Sequence, residues 1–138
     1  MTMLDKPMTD KQLIAMAALA REKAYAPYSG FPVGAALLAR SGKVYTGCNG
    51  ENASYGLSIC AERVAIFKAI SAGERGFKAL AVVTESMATP CGACRQVLAE
   101  FGEDDMQVIV ANLQGDKVVY SLAELLPASF TPPKLPRR

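Results

Sequence analysis

"FKALAVVTESMATPCGACRQVLAEFG", residues 77–102, decides the fold class. Residues 77–84 form a nearly continuous apolar run, the pattern of a strand buried on both faces. Residues 91–102 space their apolar side chains as a helix with one buried face does, and they end at Gly102. A buried strand leading into a helix is the repeating unit of an α/β protein. That helix opens on Cys-x-x-Cys after a proline, at the carboxyl end of a strand, where sites collect in α/β sheets.

Upstream, "CAERVAIFKAISAG" (60–73) predicts another helix, with Val64, Phe67, Ala69 and Ile70 inward and Gly73 as its stop. "VGAALLAR", the turn "SG" and "KVYTGC" (33–48) read as an antiparallel hairpin. "NGENASYGLSI" (49–59) is polar and too aperiodic for a regular element. "TDKQLIAMAALAREKA" (9–24) places Leu13, Met16, Ala17 and Ala20 at helical spacing, and Thr9 with Gln12 forms a capping box. Two prolines and a glycine in "AYAPYSGFP" break that helix. Downstream, "QVIVANL" (107–113) and "KVVYS" (117–121) are strands around the turn "QGD". Ser121 with Glu124 caps a short last helix, "LAELLP".

The order α-β-β-α-β-α-β-β-α favours parallel crossovers, with the first hairpin adding an antiparallel edge. The expectation is a three-layer α/β/α fold on a mixed five-stranded sheet. Residues 1–138 would form a single domain, with 130–138 as a tail.

Composition excludes several function classes. Apolar residues make up 51% and charged residues 20%, which suits a packed core and not a disordered chain. The net charge is only +2 and the aromatics are not interleaved with basic clusters, so no polyanion partner is expected, the basic "KLPRR" being a solvated tail. No apolar run is long enough to span a membrane, and "MTMLDKPMTDKQ" lacks the charged-then-apolar pattern of a signal peptide. The expectation is a cytoplasmic protein, whose four cysteines stay reduced.

Cys60, Cys91 and Cys94 fall at the starts of two helices, where unpaired N–H groups and the helix dipole favour thiolates. Three thiolates make three legs of a tetrahedral zinc site and leave the fourth position for water, the catalytic arrangement. Glu62, two residues beyond Cys60, is poorly placed to ligate and well placed to carry a proton. Three thiolates overcompensate a divalent ion, so Arg63 and Arg95 are expected to donate to sulfur and withdraw charge. Other readings stand beside this one. The cysteines could fill the core, Cys91 and Cys94 could be a redox pair, or Cys48 could complete a closed structural site. Glu62 and Arg63 could also be a solvated helix face.

With "CAER" and "PCGACRQ" in place, the sequence resembles the small zinc-dependent cytidine deaminases. "AYAPYSGFPVGAAL", "GCNGENASYG" and "ELLPASF" correspond to that family in the same order. The resemblance implies one Zn2+ per subunit on Cys60, Cys91 and Cys94, and Glu62 as the proton carrier between water, base and leaving amine. It implies that Asn49 and Glu51 bind the ribose hydroxyls, Phe31 lines the base pocket and Ala61 offers backbone contacts. Phe130 would reach a neighbouring subunit's site in a homotetramer. The implied reaction is hydrolytic deamination of cytidine and deoxycytidine in pyrimidine salvage. A deaminase of a modified cytosine nucleoside and a non-catalytic zinc-stabilised module are the alternatives.

Overall fold

The computed structural model describes residues 7–134. Its elements are α1 (Asp10–Arg21), β1 (Gly34–Ala39), β2 (Val44–Cys48), α2 (Ala61–Ser71), β3 (Phe77–Val83), α3 (Gly92–Phe101), β4 (Gly102–Ala111), β5 (Lys117–Ser121) and α4 (Leu122–Leu125). Short 3₁₀ turns add Tyr55–Leu57 and Pro132–Lys134. Both expected capping boxes form. Thr9 and Gln12 exchange side-chain-to-backbone hydrogen bonds at the start of α1, and Ser121 and Glu124 do so at α4.

The five strands form one mixed sheet in the order β2-β1-β3-β4-β5. β1 pairs antiparallel with both β2 and β3, β3 pairs parallel with β4, and β4 pairs antiparallel with β5. β2 and β3 therefore run the same way on either side of β1. Both helical crossovers, through α2 and through α3, accordingly join parallel strands, as the chain order requires.

Helices cover both faces. On one face Leu37, Leu80, Val82, Val108 and Val110 pack against Ala61, Ala65, Ile66 and Ala69 of α2, Leu98 of α3 and Leu122 of α4. On the other, Ala79, Ala81, Val83 and Ile109 meet Leu13 and Ala17 of α1. β3 lies between the two layers, which explains why its sequence is apolar without alternation.

Two details differ from the sequence expectation. Phe67 of α2 is 48% exposed and Val64 only half-buried, while Ile66 and an alanine stripe at 61, 65 and 69 face the sheet. Small residues at i, i+4 and i+8 bring the helix close, so the alanines and not the phenylalanine occupy the buried line. β4 also begins at Gly102, directly after α3, and not at Gln107. A register shift lets Phe77 pair with Gly102 and Ala79 with Gln107, leaving Glu103, Asp104 and Asp105 exposed on an irregular strand start. Of the expected tail, residues 135–138 lie outside the described residues. Among those described, no helix is long and apolar enough to cross a membrane.

Candidate active site

Cys60 is the N-cap of α2 and Cys91 the N-cap of α3, and Cys94 lies buried in the first turn of α3. Neither N-cap sulfur is used to cap its helix, so both remain free to ligate. Cys60 Sγ is 3.9 Å from Cys91 Sγ, which is 3.4 Å from Cys94 Sγ, and all three lie within 4.8 Å of one another. Three sulfurs on a tetrahedral zinc at ~2.3 Å would stand roughly 3.8 Å apart, so the observed triangle fits the ion. The chain contains no histidine to compete as a ligand. Cys48, at the end of β2, is outside this cluster.

The electrostatics favour an anion at Cys60. The Cys60 thiol is held down to about 5 by a hydrogen bond from Cys94 and by the Arg63 guanidinium, whose NH2 group donates to its Sγ at 3.3 Å. Cys94 is pushed up because it is the donor to Cys60 and because it is buried. Arg63 is correspondingly held in its charged form by Cys60. Its Nε is buried without a hydrogen-bond partner, so the guanidinium depends on the sulfur cluster for compensation.

Arg95 corrects the sequence expectation. Its Nε donates to the Pro90 carbonyl at 2.7 Å, one terminal nitrogen to Leu125 O at 2.7 Å and the other to Thr89 Oγ1 at 2.8 Å. It touches no sulfur in these hydrogen bonds. Arg63 stands three residues past its N-cap and folds back over it. Arg95 stands four past Cys91, about 100° further round the helix, and meets the loop and α4 instead.

A cavity of about 290 Å³ is lined by Cys60, Cys91, Ala61 and Glu62 together with Phe31, Asn49 and Glu51. Glu62 is 5% exposed, and burial, followed by the charge of Cys60, raises its pKa above the usual carboxylate value. Asn49 Oδ1 accepts from Val33 N at 2.9 Å and its Nδ2 donates to Phe31 O at 3.0 Å. Glu51 Oε1 accepts from the Tyr28 and Ser29 amides, each at 3.0 Å, and Oε2 accepts from the Ser29 hydroxyl. The Ser29 hydroxyl is the main reason the Glu51 carboxyl titrates lower than usual. Asn49 and Glu51 thus also fasten the 28–33 segment that presents Phe31.

Phe130 is 56% exposed and does not line this cavity. Gln96 of α3 donates to its carbonyl at 2.7 Å. Sequence reasoning passed over Ser29 and Thr84, both at the cavity wall. Thr84 is 1% exposed and its hydroxyl accepts from Ala88 N at 2.8 Å, shaping the turn that leads to Cys91. Its place at the carboxyl end of the central strand was the available signal. A larger recess, about 1080 Å³, lies beneath the start of α1 between Arg40, Lys78 and Asp105, away from all three clustered cysteines. Volume alone does not locate the chemistry.

The cytidine and deoxycytidylate deaminase zinc-binding region, as a family model, matches residues 7–111. The chain belongs to this family. A cytidine deaminase of Sporosarcina psychrophila is 56% identical over 126 residues, spanning 90% of this chain and 93% of that protein. The crystal structure of a cytidine deaminase from Burkholderia pseudomallei superposes with a TM-score of 0.86 at 56% identity, covering 89% of this chain and 100% of that one. That of Mycobacterium tuberculosis gives 0.77 at 40% identity, over 89% and 98%. Within a zinc-binding family, the cluster of Cys60, Cys91 and Cys94 assigns Zn2+ as the cofactor.

Proposed function

We propose that this chain, as a single domain, is a cytidine deaminase that converts cytidine and deoxycytidine to uridine, deoxyuridine and ammonia. The observation that carries the proposal is one cavity that a buried carboxyl group, Glu62, shares with Asn49, Glu51 and two of the three clustered cysteines, Cys60 and Cys91. Its size lies near the lower end for small-molecule sites, about 300–1,000 Å³, and suits a nucleoside better than a polymer.

Cys60, Cys91 and Cys94 would hold zinc, which when bound lowers the pKa of water toward neutrality and so supplies hydroxide near pH 7. Glu62 takes the proton released as the water oxygen bonds to C4. It delivers that proton to ring N3, then takes the second proton from the new C4 hydroxyl and passes it to the exocyclic nitrogen, which leaves as ammonia as the C4–N bond breaks and C4=O forms. Its raised pKa and burial keep it an effective proton donor and exclude competing water. Arg63 tempers the negative charge of the sulfurs. Asn49 and Glu51 bind the ribose hydroxyls, and this remote binding energy places the base against the reacting water. Phe31 and the Ala61 backbone hold the pyrimidine.

Assembly belongs to the same proposal: a homotetramer in which Phe130 closes a neighbour's cavity. The exposure of Phe130 at 56%, and of the Tyr28 and Tyr55 pair at 50% and 73%, supports aromatic contacts with another copy. Co-assembled Phe130→Ala and Glu62→Gln chains should regain activity above either parent, and mixed oligomers without recovery would reject the shared site. A cytoplasmic enzyme of pyrimidine salvage is consistent with free thiols.

The deciding assay compares cytidine, deoxycytidine and free cytosine with zinc-loaded protein. Deamination of both nucleosides and slow turnover of the base is expected. Activity confined to a modified cytosine nucleoside, or zinc-bound protein with no turnover, would replace this reading with one of its alternatives. Asn49→Ala and Glu51→Ala should each weaken nucleoside turnover by ~1–3 kcal/mol of lost hydrogen bonding while retaining zinc.

A further inference from the structure

Gly47 is the penultimate residue of β2, opposite Ala35 in the β1–β2 ladder. α2 lies directly across it. A Cβ at this position would stand 2.4 Å from Ala61 O, 2.7 Å from Ala65 N and 3.0 Å from Val64 Cβ. Two of these neighbours are backbone atoms, which no rotamer change can move. The bare backbone of β2 is therefore the seat of the first turn of α2. That turn follows Cys60 and carries Glu62 and Arg63. Just beyond Gly47 the same chain delivers Asn49 and Glu51 to the lining of the same cavity. The helix–strand spacing at Gly47 thus links the site residues carried by α2 to those that follow β2.

We propose that Gly47 is a positioning residue for the deamination. Its missing side chain sets how deeply α2 seats on β2, and hence how far Cys60 and Glu62 stand from Asn49 and Glu51. The proposal rests on the roles assigned above to Cys60 and Glu62. Ordinary Cβ contacts begin at 3.4 Å. An alanine at 47 therefore demands roughly 1 Å of retreat, and a displacement of that size can cost on the order of a hundred-fold in rate. Gly34 uses the same device on the other face, where a Cβ would meet Ala17 O of α1 at 2.0 Å. No residue of α1 lines the cavity, so the helix seated at Gly34 carries no site residue, whereas the helix seated at Gly47 carries Ala61 and Glu62.

The test compares Gly47→Ala with Leu13→Ala in zinc-loaded and cobalt-loaded protein. Leu13 is buried in α1 on the opposite face, and its loss supplies destabilisation without touching the site. Gly47→Ala should lose about a hundred-fold in kcat on cytidine with a smaller change in KM. Its cobalt absorption bands should shift as Cys60 moves relative to Cys91 and Cys94. Leu13→Ala should lower the unfolding midpoint at least as far, with wild-type kcat and cobalt spectrum. Should Gly47→Ala not fold, Ala65→Val is read in the same way, because Ala65 is fully buried where α2 packs on the sheet and does not line the cavity, so the added bulk lifts the same helix. Wild-type kcat and cobalt bands in the folded variant, or equal losses in Leu13→Ala, would overturn the proposal. Inactivity of the zinc-loaded wild type on cytidine would strike the substrate assignment instead, and the cobalt spectra would still decide whether Gly47 seats the ligand helix.

Discussion

The two helix starts that carry the cysteines look alike in sequence and are built differently. At α2, Cys60 is followed by Arg63, whose guanidinium returns to the N-cap sulfur. At α3, Cys91 and Cys94 are followed by Arg95, which binds the backbone of Pro90 and Leu125 and the hydroxyl of Thr89. The first arginine works electrostatically on a ligand. The second works mechanically, tying the ligand loop to its own helix and to α4. One residue of difference in spacing from the N-cap turns the side chain by about 100° and changes its task.

The largest test of this contrast removes the sulfurs themselves. Cys60→Ala, Cys91→Ala and Cys94→Ala should each lose zinc and activity, and Cys48→Ala should keep both, as metal analysis of purified protein will show. A zinc-free Cys48→Ala protein would mean a closed four-sulfur site. Next, Glu62→Gln should keep zinc and fold yet lose roughly a hundred- to ten-thousand-fold in kcat, the usual worth of a general acid–base group. Near-normal turnover would move the proton carrier elsewhere.

The arginines sharpen the comparison directly. Arg63→Ala should change zinc affinity or turnover about 10- to 100-fold, the scale of outer-shell partners. Arg95→Ala should leave the cobalt spectrum intact and lower stability by ~1.5–3 kcal/mol, through lost charged hydrogen bonds, in urea unfolding. The reverse pattern would exchange the two roles.

The smallest effect lies at the far end of α2. Glu74 accepts from Ser41 Oγ at 2.7 Å and Tyr45 OH at 2.9 Å, tying the β1–β2 hairpin to the loop after α2. The Ser41 bond, above all, holds its carboxyl below the usual range. A depressed folded-state pKa contributes stability above the unfolded value, about 4.3, and that contribution disappears as pH falls through the folded value. Glu74→Gln should therefore lower the urea midpoint slightly at pH 7, and the gap to wild type should close on acidification. kcat should be unchanged, because this end of α2 holds no site residue.

Much of the molecule was legible in the chain because its signals are local. The doubly buried β3, both capping boxes and the cysteines at helix starts rest on spacing within a few residues. The inward face of α2 was misread because the sequence marks apolar size, whereas close packing on β2 selected the alanines over Phe67. The start of β4 was hidden because Glu103, Asp104 and Asp105 pair through backbone and carry no apolar pattern.

By itself the sequence determined an α/β chain with three cysteines and a glutamate at two helix starts, since periodicity and capping act over one or two turns. Only the tertiary structure decided that these starts meet within 4.8 Å across a sulfur triangle. It alone decided that Arg95 serves the loop and not the sulfurs, and that Glu51 grips Ser29. Those outcomes depend on strand order and on how closely each helix seats, which non-local packing sets and no short window of residues contains.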